Sequence, residues 1–240
     1  MAVKCYYFDV STLTEAQYGA ALAALPWQER RQRVGRLLTA EARRLCLGAG
    51  ALLAYALGQA GATDLTLQRG PQGKPALAHH PDIHFNLSHS GTMAVCAVAD
   101  RAVGVDVEQP REIREALVRR VLTAEEQAWL TTQPDREAAF LRLWTRKESF
   151  LKRTGEGFSR APDSLSVLPQ AEDGSPAGFA ERVISNYRVC VCCEGAETTQ
   201  FLPWAFPFPT IRSAKGKDGL APWTWQEVGR STLLLEEEIV

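Results

Sequence analysis

Residues 135–153 carry apolar side chains at helical spacing, and this stretch constrains the fold more than any other. Phe140, Leu143, Trp144, Lys147 and Leu151 fall on one stripe, which has to face a core. Lys147 sits on that stripe, where a charge is costly unless its head reaches an anion or water. Glu148 and Lys152 are four residues apart and share a helix face. Thr154-Gly155-Glu156-Gly157 closes the helix. Alone, the pattern describes a helical salt bridge beside a core stripe.

A second feature lies upstream. Ile83, Phe85 and Leu87 alternate with His84, Asn86 and Ser88, the period of a half-buried strand. The strand runs through a Ser88-His89-Ser90-Gly91 turn into the nearly all-apolar residues 93–99. Hydroxyls, an imidazole and backbone N–H groups then share one small volume that suits a phosphate. Ser88 and His89 would point to opposite sides of an extended segment, which is poor geometry for a nucleophile and its base. Asp100-Arg101 turns the chain back, and in Val103-Gly104-Val105-Asp106-Val107-Glu108 the two carboxylates share a side while the valines point into the core. Asp-x-Glu more commonly decorates an edge strand. If Glu148 joins Asp106 and Glu108, however, repulsion of about 4 kcal/mol for each pair about 4 Å apart requires protonation or a cation. All-oxygen ligands favour magnesium or manganese, and magnesium on few carboxylates completes its shell with water and substrate phosphates.

The remaining expectations are coarser. Strands are expected at 3–10, 65–68, 163–167 and 183–193, the last as one strand or a pair. Helices are expected at 14–25, at 40–57 with Gly58 as its stop, at 111–121 and from a capping box at Thr123 to Leu130. The arginine run Arg30, Arg31, Arg33, Arg36 reads as a solvated face or a phosphate grip. Lys74 stands in a turn between Gly73 and Pro75, and Glu172–Pro176 forms a further turn. The segment beyond Gly195 is rich in proline and tryptophan, ends in Glu236-Glu237-Glu238 and carries no evident chemistry.

With 240 residues the chain can bury a sizeable core as one large or two small domains. A net charge of −1 gives no global pull towards nucleic acid or an anionic membrane, and no apolar run is long enough to span a bilayer. The first residues read as a strand rather than a signal peptide. The six cysteines lack zinc spacing, and Cys190-Val191-Cys192-Cys193 reads as a buried strand of free thiols in a reducing cytoplasm.

Gly73-Lys74-Pro75, Phe85-Asn86-Leu87-Ser88-His89-Ser90-Gly91, Gly104-Val105-Asp106-Val107-Glu108 and Trp144-x-x-Lys147-Glu148-x-x-x-Lys152 resemble, in order and spacing, the motifs of the Sfp-type 4′-phosphopantetheinyl transferases. The similarity runs from about Arg30 to Cys193. It implies an α/β (α+β) fold of two similar subdomains in a pseudo-twofold arrangement, each a small sheet packed with helices, here residues 1–101 and 102–240. It implies transfer of 4′-phosphopantetheine from coenzyme A, the substrate, to a serine of an apo acyl or peptidyl carrier protein, with release of 3′,5′-ADP. Asp106, Glu108 and Glu148 would hold magnesium, or manganese. Glu148, or a water on the metal, would take the serine proton, and Lys152 would neutralise a phosphate and assist the leaving group. Ser88 and His89 would contact phosphates, Lys74 and Pro75 would lie along the adenosine end, and Arg30, Arg31 and Arg36 would meet the 3′-phosphate. The basic stretch 111–120 would dock an acidic carrier, and residues 201–240 would pack on the second subdomain or shield the cleft. A cytoplasmic monomer is expected. Two other readings stay open: a magnesium-dependent nucleotide or coenzyme A pyrophosphohydrolase, which would need no protein partner, and a non-catalytic coenzyme A-binding module, which would not need all three carboxylates.

Overall fold

Every residue of the strand Met93–Ala99 is buried, so both of its faces must be covered. The computed structural model, which describes residues 1–70, 72–155, 161–168 and 178–206, shows how. This strand, β5, lies between β4 (His84–Ser90) and β1 (Lys4–Asp9), antiparallel to both, and β9 (Gln200–Pro203) adds to β1 in parallel. Ala94, Cys96 and Val98 of β5, with Tyr6 and Phe8 of β1 and Phe85 of β4, face one way. There they meet the long helix α3 (Ala40–Gln59) through Leu47, Leu52, Leu53, Ala56 and Leu57. The helices α1 (Glu15–Ala24) and α2 (Gln28–Arg36) pack beside it. Met93, Val95, Ala97 and Ala99 face the other way, onto a second sheet.

The second sheet has the order β6 (Val103–Glu108), β8 (Tyr187–Cys193), β7 (Gly178–Ile184), antiparallel throughout. Val103, Val105 and Val107 of β6, with Tyr187, Val189 and Val191 of β8, close the middle core between the two sheets. The outer face of this sheet carries α6 (Arg136–Thr154), which shares a third core with α4 (Glu115–Val121) and α5 (Ala124–Thr131). The molecule is therefore layered helix, sheet, sheet, helix, with small sheets packed against helices as expected. A two-stranded ribbon, β2 (Leu67–Arg69) and β3 (Pro75–Leu77), is hydrogen-bonded to neither sheet but buries Leu77 in the first core.

Five local expectations change. Ser88, His89 and Ser90 belong to β4, paired with Val95, Ala94 and Met93, so the turn to β5 is only Gly91-Thr92. The residues around Asp100-Arg101 do not turn a hairpin, because β5 and β6 belong to different sheets and the short link crosses between layers. Gly58 does not stop α3, which continues to Gln59; the left-handed residue is Gly61, at φ +91°. The basic helix starts at Glu115, not at Arg111. Residues 163–167 form no strand: Pro162–Ser164 is a single 3₁₀ turn, and Leu165 and Val167 drop into the third core. The return of the chain to β9 places Trp204 and Phe206 in the first core, where the Trp204 indole meets Phe8 at 4.8 Å between ring centroids. The described part of the tail thus joins the first sheet and its core, while Phe201 turns to the middle core, under the Arg182 guanidinium of β7 at 5.9 Å, so part of it packs on the second sheet as expected. The expected turn at Glu172–Pro176, the loop residues Glu156 and Gly157, and the acidic end at Glu236–Glu238 lie outside the described residues.

All six cysteines are free, and burial raises the thiols of Cys96 and Cys190 far above their usual range. No helix among the described residues is long and apolar enough to cross a membrane.

Candidate active site

The site forms where the edge strand of each sheet meets α6. Alternate side chains of β4 reach across to β6. The Asn86 Oδ1 accepts the Val105 N–H at 2.9 Å, the Ser88 hydroxyl donates to Asp106 Oδ1 at 2.9 Å, and the Ser90 hydroxyl donates to Glu108 Oε2 at 3.2 Å. Because the period of a strand is two residues, one face of β4 supplies the polar links while Phe85 goes to the core. On β6 the same alternation buries the valines and turns Gly104, Asp106 and Glu108 towards α6 and β4. Gly104 allows the helix to lie directly on the strand: a Cβ there would overlap the Ser149 carbonyl oxygen and the Arg153 amide.

α6 is capped by Asp135, which accepts the Ala138 N–H at 2.9 Å, and ends at Gly155 with φ +75°. Its Lys152 ammonium donates to Asp106 Oδ1 at 2.6 Å and to the Ser88 hydroxyl at 3.0 Å. The Trp144 indole N–H donates to Glu108 Oε1 at 2.9 Å, and Arg111 approaches the same oxygen at 3.7 Å. Asp106 is 3% exposed, and its Oδ2 has no hydrogen-bond partner among the described residues. Burial raises its carboxyl to about 6, with a further push from Glu108, although Lys152 and Ser88 pull the other way. Glu148 is raised for the same reasons, burial first and the Glu108 charge after the opposing pull of Lys152. Three carboxylates and one ammonium thus act on one another across a small, poorly hydrated space.

Among the described residues no three metal-binding side chains are gathered tightly enough to hold an ion as they stand. The physical reason is visible in the contacts: the Lys152 ammonium lies on Asp106, while Trp144 and Ser90 occupy the oxygens of Glu108. The donor set nevertheless fits a hard divalent cation. It is all carboxylate, and a buried Asp106 oxygen without a donor is a lone pair that a cation would satisfy.

The other expected residues divide. Ser88 is buried with its hydroxyl committed to Asp106 and Lys152. His89 lies on the open side of β4, its imidazole held below the usual histidine range by desolvation and then by the charges of Lys152, Arg30 and Arg33. Arg30 packs its stem against Gly50 and donates to the Cys46 carbonyl at 3.3 Å, whereas Arg31 turns to the Leu25 carbonyl at 2.8 Å. Arg36 stands at the C-terminal end of α2. The arginine that joins Arg30 in the field at His89 is Arg33, which the motif reading left out. The signal was present, since Arg30 and Arg33 are three apart and share a helix face. Lys74 spans the two halves, donating to the Val103 carbonyl at 3.1 Å and the Arg153 carbonyl at 3.0 Å. Its ammonium is pushed down to about 8 by burial and then by the Arg153 charge. Pro75 is exposed and begins β3.

Comparison with known proteins follows the same division of the chain. The family model described as the 4′-phosphopantetheinyl transferase superfamily matches residues 102–192, and one described as 4′-phosphopantetheinyl transferase, N-terminal, matches residues 12–101. A 4′-phosphopantetheinyl transferase of Bacillus subtilis is 35% identical over 223 residues, covering 82% of this chain and 96% of that protein. A 4′-phosphopantetheinyl transferase of Bacillus pumilus is 43% identical over 104 residues, 42% of this chain and 44% of that one. The Bacillus subtilis transferase Sfp is 36% identical over 107 residues, 44% of this chain and 48% of that one. The chain thus aligns with less than half the length of the last two.

Proposed function

Since the chain belongs to the 4′-phosphopantetheinyl transferase superfamily, we propose that it moves the 4′-phosphopantetheine arm of coenzyme A onto a serine of an apo acyl or peptidyl carrier protein. The observation that supports this most is Asp106, buried, partly orphaned and set between Ser88, Lys152, Glu108 and the helix that carries Glu148. In this reading Asp106, Glu108 and Glu148 would hold a divalent cation, magnesium or manganese, which when bound would neutralise the pyrophosphate charge. The serine Oγ attacks the phosphorus that carries the pantetheine arm. The bond from that phosphorus to the bridging oxygen breaks, and the electron pair leaves with 3′,5′-ADP. Glu148 takes the serine proton. Lys152 lies within one residue's reach of Asp106 and Ser88, and places its positive charge on the departing phosphate. His89, Arg30 and Arg33 line one side of the cleft and receive the 3′-phosphate of coenzyme A, the two guanidinium groups supplying the positive charge. Arg111 at the rim and the basic face of α4 meet the acidic carrier.

The relatives all bear the transferase name, and neither hydrolysis nor binding alone is favoured by them. Release of 3′,5′-ADP from coenzyme A, followed by chromatography with and without apo carrier, tests the reading. Release that requires the carrier is expected. Release at the same rate without carrier would overturn transfer in favour of hydrolysis.

A further inference from the structure

The motif around Glu148 contains one charged residue that the cleft does not use. Lys147 is 1% exposed and points away from Asp106, into the third core. Its ammonium pairs with Glu126 Oε2 at 2.7 Å and donates to the carbonyls of Pro162, at 2.8 Å, and Leu165. Glu126 is wholly buried and accepts from three directions: Lys147, the Thr123 N–H at 2.9 Å and the Val167 N–H at 2.8 Å. Arg146, one residue before Lys147, donates to the Val167 carbonyl at 2.9 Å. A single buried pair therefore ties α6 to the start of α5 and to the chain segment 161–168.

Consecutive residues on a helix lie about 100° apart around its axis. The Lys147 anchor on one side of α6 and the Gly104 contact with Ser149 and Arg153 on another leave the helix no freedom to rotate. Glu148 and Lys152 are set by that rotation. A buried ion pair adds little net stability compared with apolar groups of the same size, but it admits few alternative arrangements. We propose that Lys147 and Glu126 are positioning residues that fix the rotation of α6 and so hold Glu148 near Glu108 and Lys152 against Asp106. The proposal rests on the transferase reading for its kinetic consequence but not for the clamp itself.

The double variant Glu126→Gln/Lys147→Met removes both charges at nearly constant size, whereas Glu126→Gln alone leaves the Lys147 ammonium buried without its counter-charge and is the harsher perturbation. Thermal midpoint, kcat, KM for coenzyme A and amide hydrogen exchange along α6 are measured for both variants and for wild type. For the double variant the clamp predicts a midpoint within a few degrees of wild type, a KM within about twofold, a kcat lower by at least about tenfold, and faster exchange at residues 146–152, while Glu126→Gln alone should have the lower midpoint. Wild-type kcat and exchange in a folded double variant would overturn it, as would loss of fold in both variants, which would make the pair a stability element. If wild type transfers nothing to any carrier, the transferase reading fails, and the exchange comparison still decides the clamp.

Discussion

Replacing the buried carboxylate at the centre of the site should make the protein more stable while it destroys the site. Asp106 ionises at about 6 rather than in the usual carboxylate range near 3.8, because burial outweighs its contact with Lys152. At about 1.4 kcal/mol for each factor of ten in proton affinity, the ionised form costs about 3 kcal/mol in the folded protein. The folded state holds this proton more tightly than the unfolded chain does. The stability it contributes is therefore fully present below the unfolded value and is lost as pH rises through about 6. Asp106→Asn keeps the shape and stays neutral. The attraction of Lys152 is already contained in that net value, because it opposes the effect of burial at Asp106. The net expectation, in chelator, is a gain of about 3 kcal/mol above neutral pH, or roughly 6–12 °C in Tm for a chain of this size. Urea and thermal unfolding of both proteins across pH provide the assay. The gap should be near zero at about pH 3 and open to its full value by about pH 7. A destabilised variant at neutral pH, or a gap that does not change with pH, would refute the reasoning.

Gly104→Ala places a Cβ on the Ser149 carbonyl and the Arg153 amide, so α6 has to retreat from β6. A loss of about 2–3 kcal/mol in urea unfolding is expected, with transfer reduced in the protein that remains folded; less than about 0.5 kcal/mol would contradict the close approach. Arg33→Ala should raise KM for coenzyme A by roughly tenfold or more, the worth of one charge-assisted hydrogen bond, as Arg30→Ala should. Arg31→Ala, whose guanidinium is turned to Leu25, should change it by less than about threefold in the same steady-state assay, and equal effects of Arg31 and Arg33 would contradict the assignment. Coenzyme A lacking the 3′-phosphate should abolish the difference between wild type and Arg33→Ala.

The carboxylates and the helix stripe were legible because both rest on local periodicity: two residues for Asp106 and Glu108, four for Glu148 and Lys152. What failed to show was partnership across the chain. The alternation in residues 163–167 imitates a strand, but their carbonyls and N–H groups go to the side chains of Lys147, Arg146 and Glu126, not to another strand. Glu126 reads as the third residue of a capping box, which it is, while its second role depends on a lysine far along the chain. β5 and β6 look like a hairpin because a two-layer crossing and a turn need equally few residues. Lys74 reads as a loop charge, and only the fold brings it to the carbonyls of Val103 and Arg153. Trp204 and Phe206 give no sequence sign that they complete a core begun by the first strand.

The central claim is that Glu148, beside Asp106 and Glu108, carries out transfer to a protein hydroxyl. Intact-mass spectrometry of an apo acyl or peptidyl carrier protein, incubated with coenzyme A, magnesium and either wild type or Glu148→Gln, tests it most directly. The account predicts a gain of one phosphopantetheine with wild type, abolished by chelator and slowed by about 10²-fold or more in the variant, which should still bind coenzyme A. A carrier that gains no mass from a wild type that binds coenzyme A, or one modified equally fast by Glu148→Gln, would contradict it.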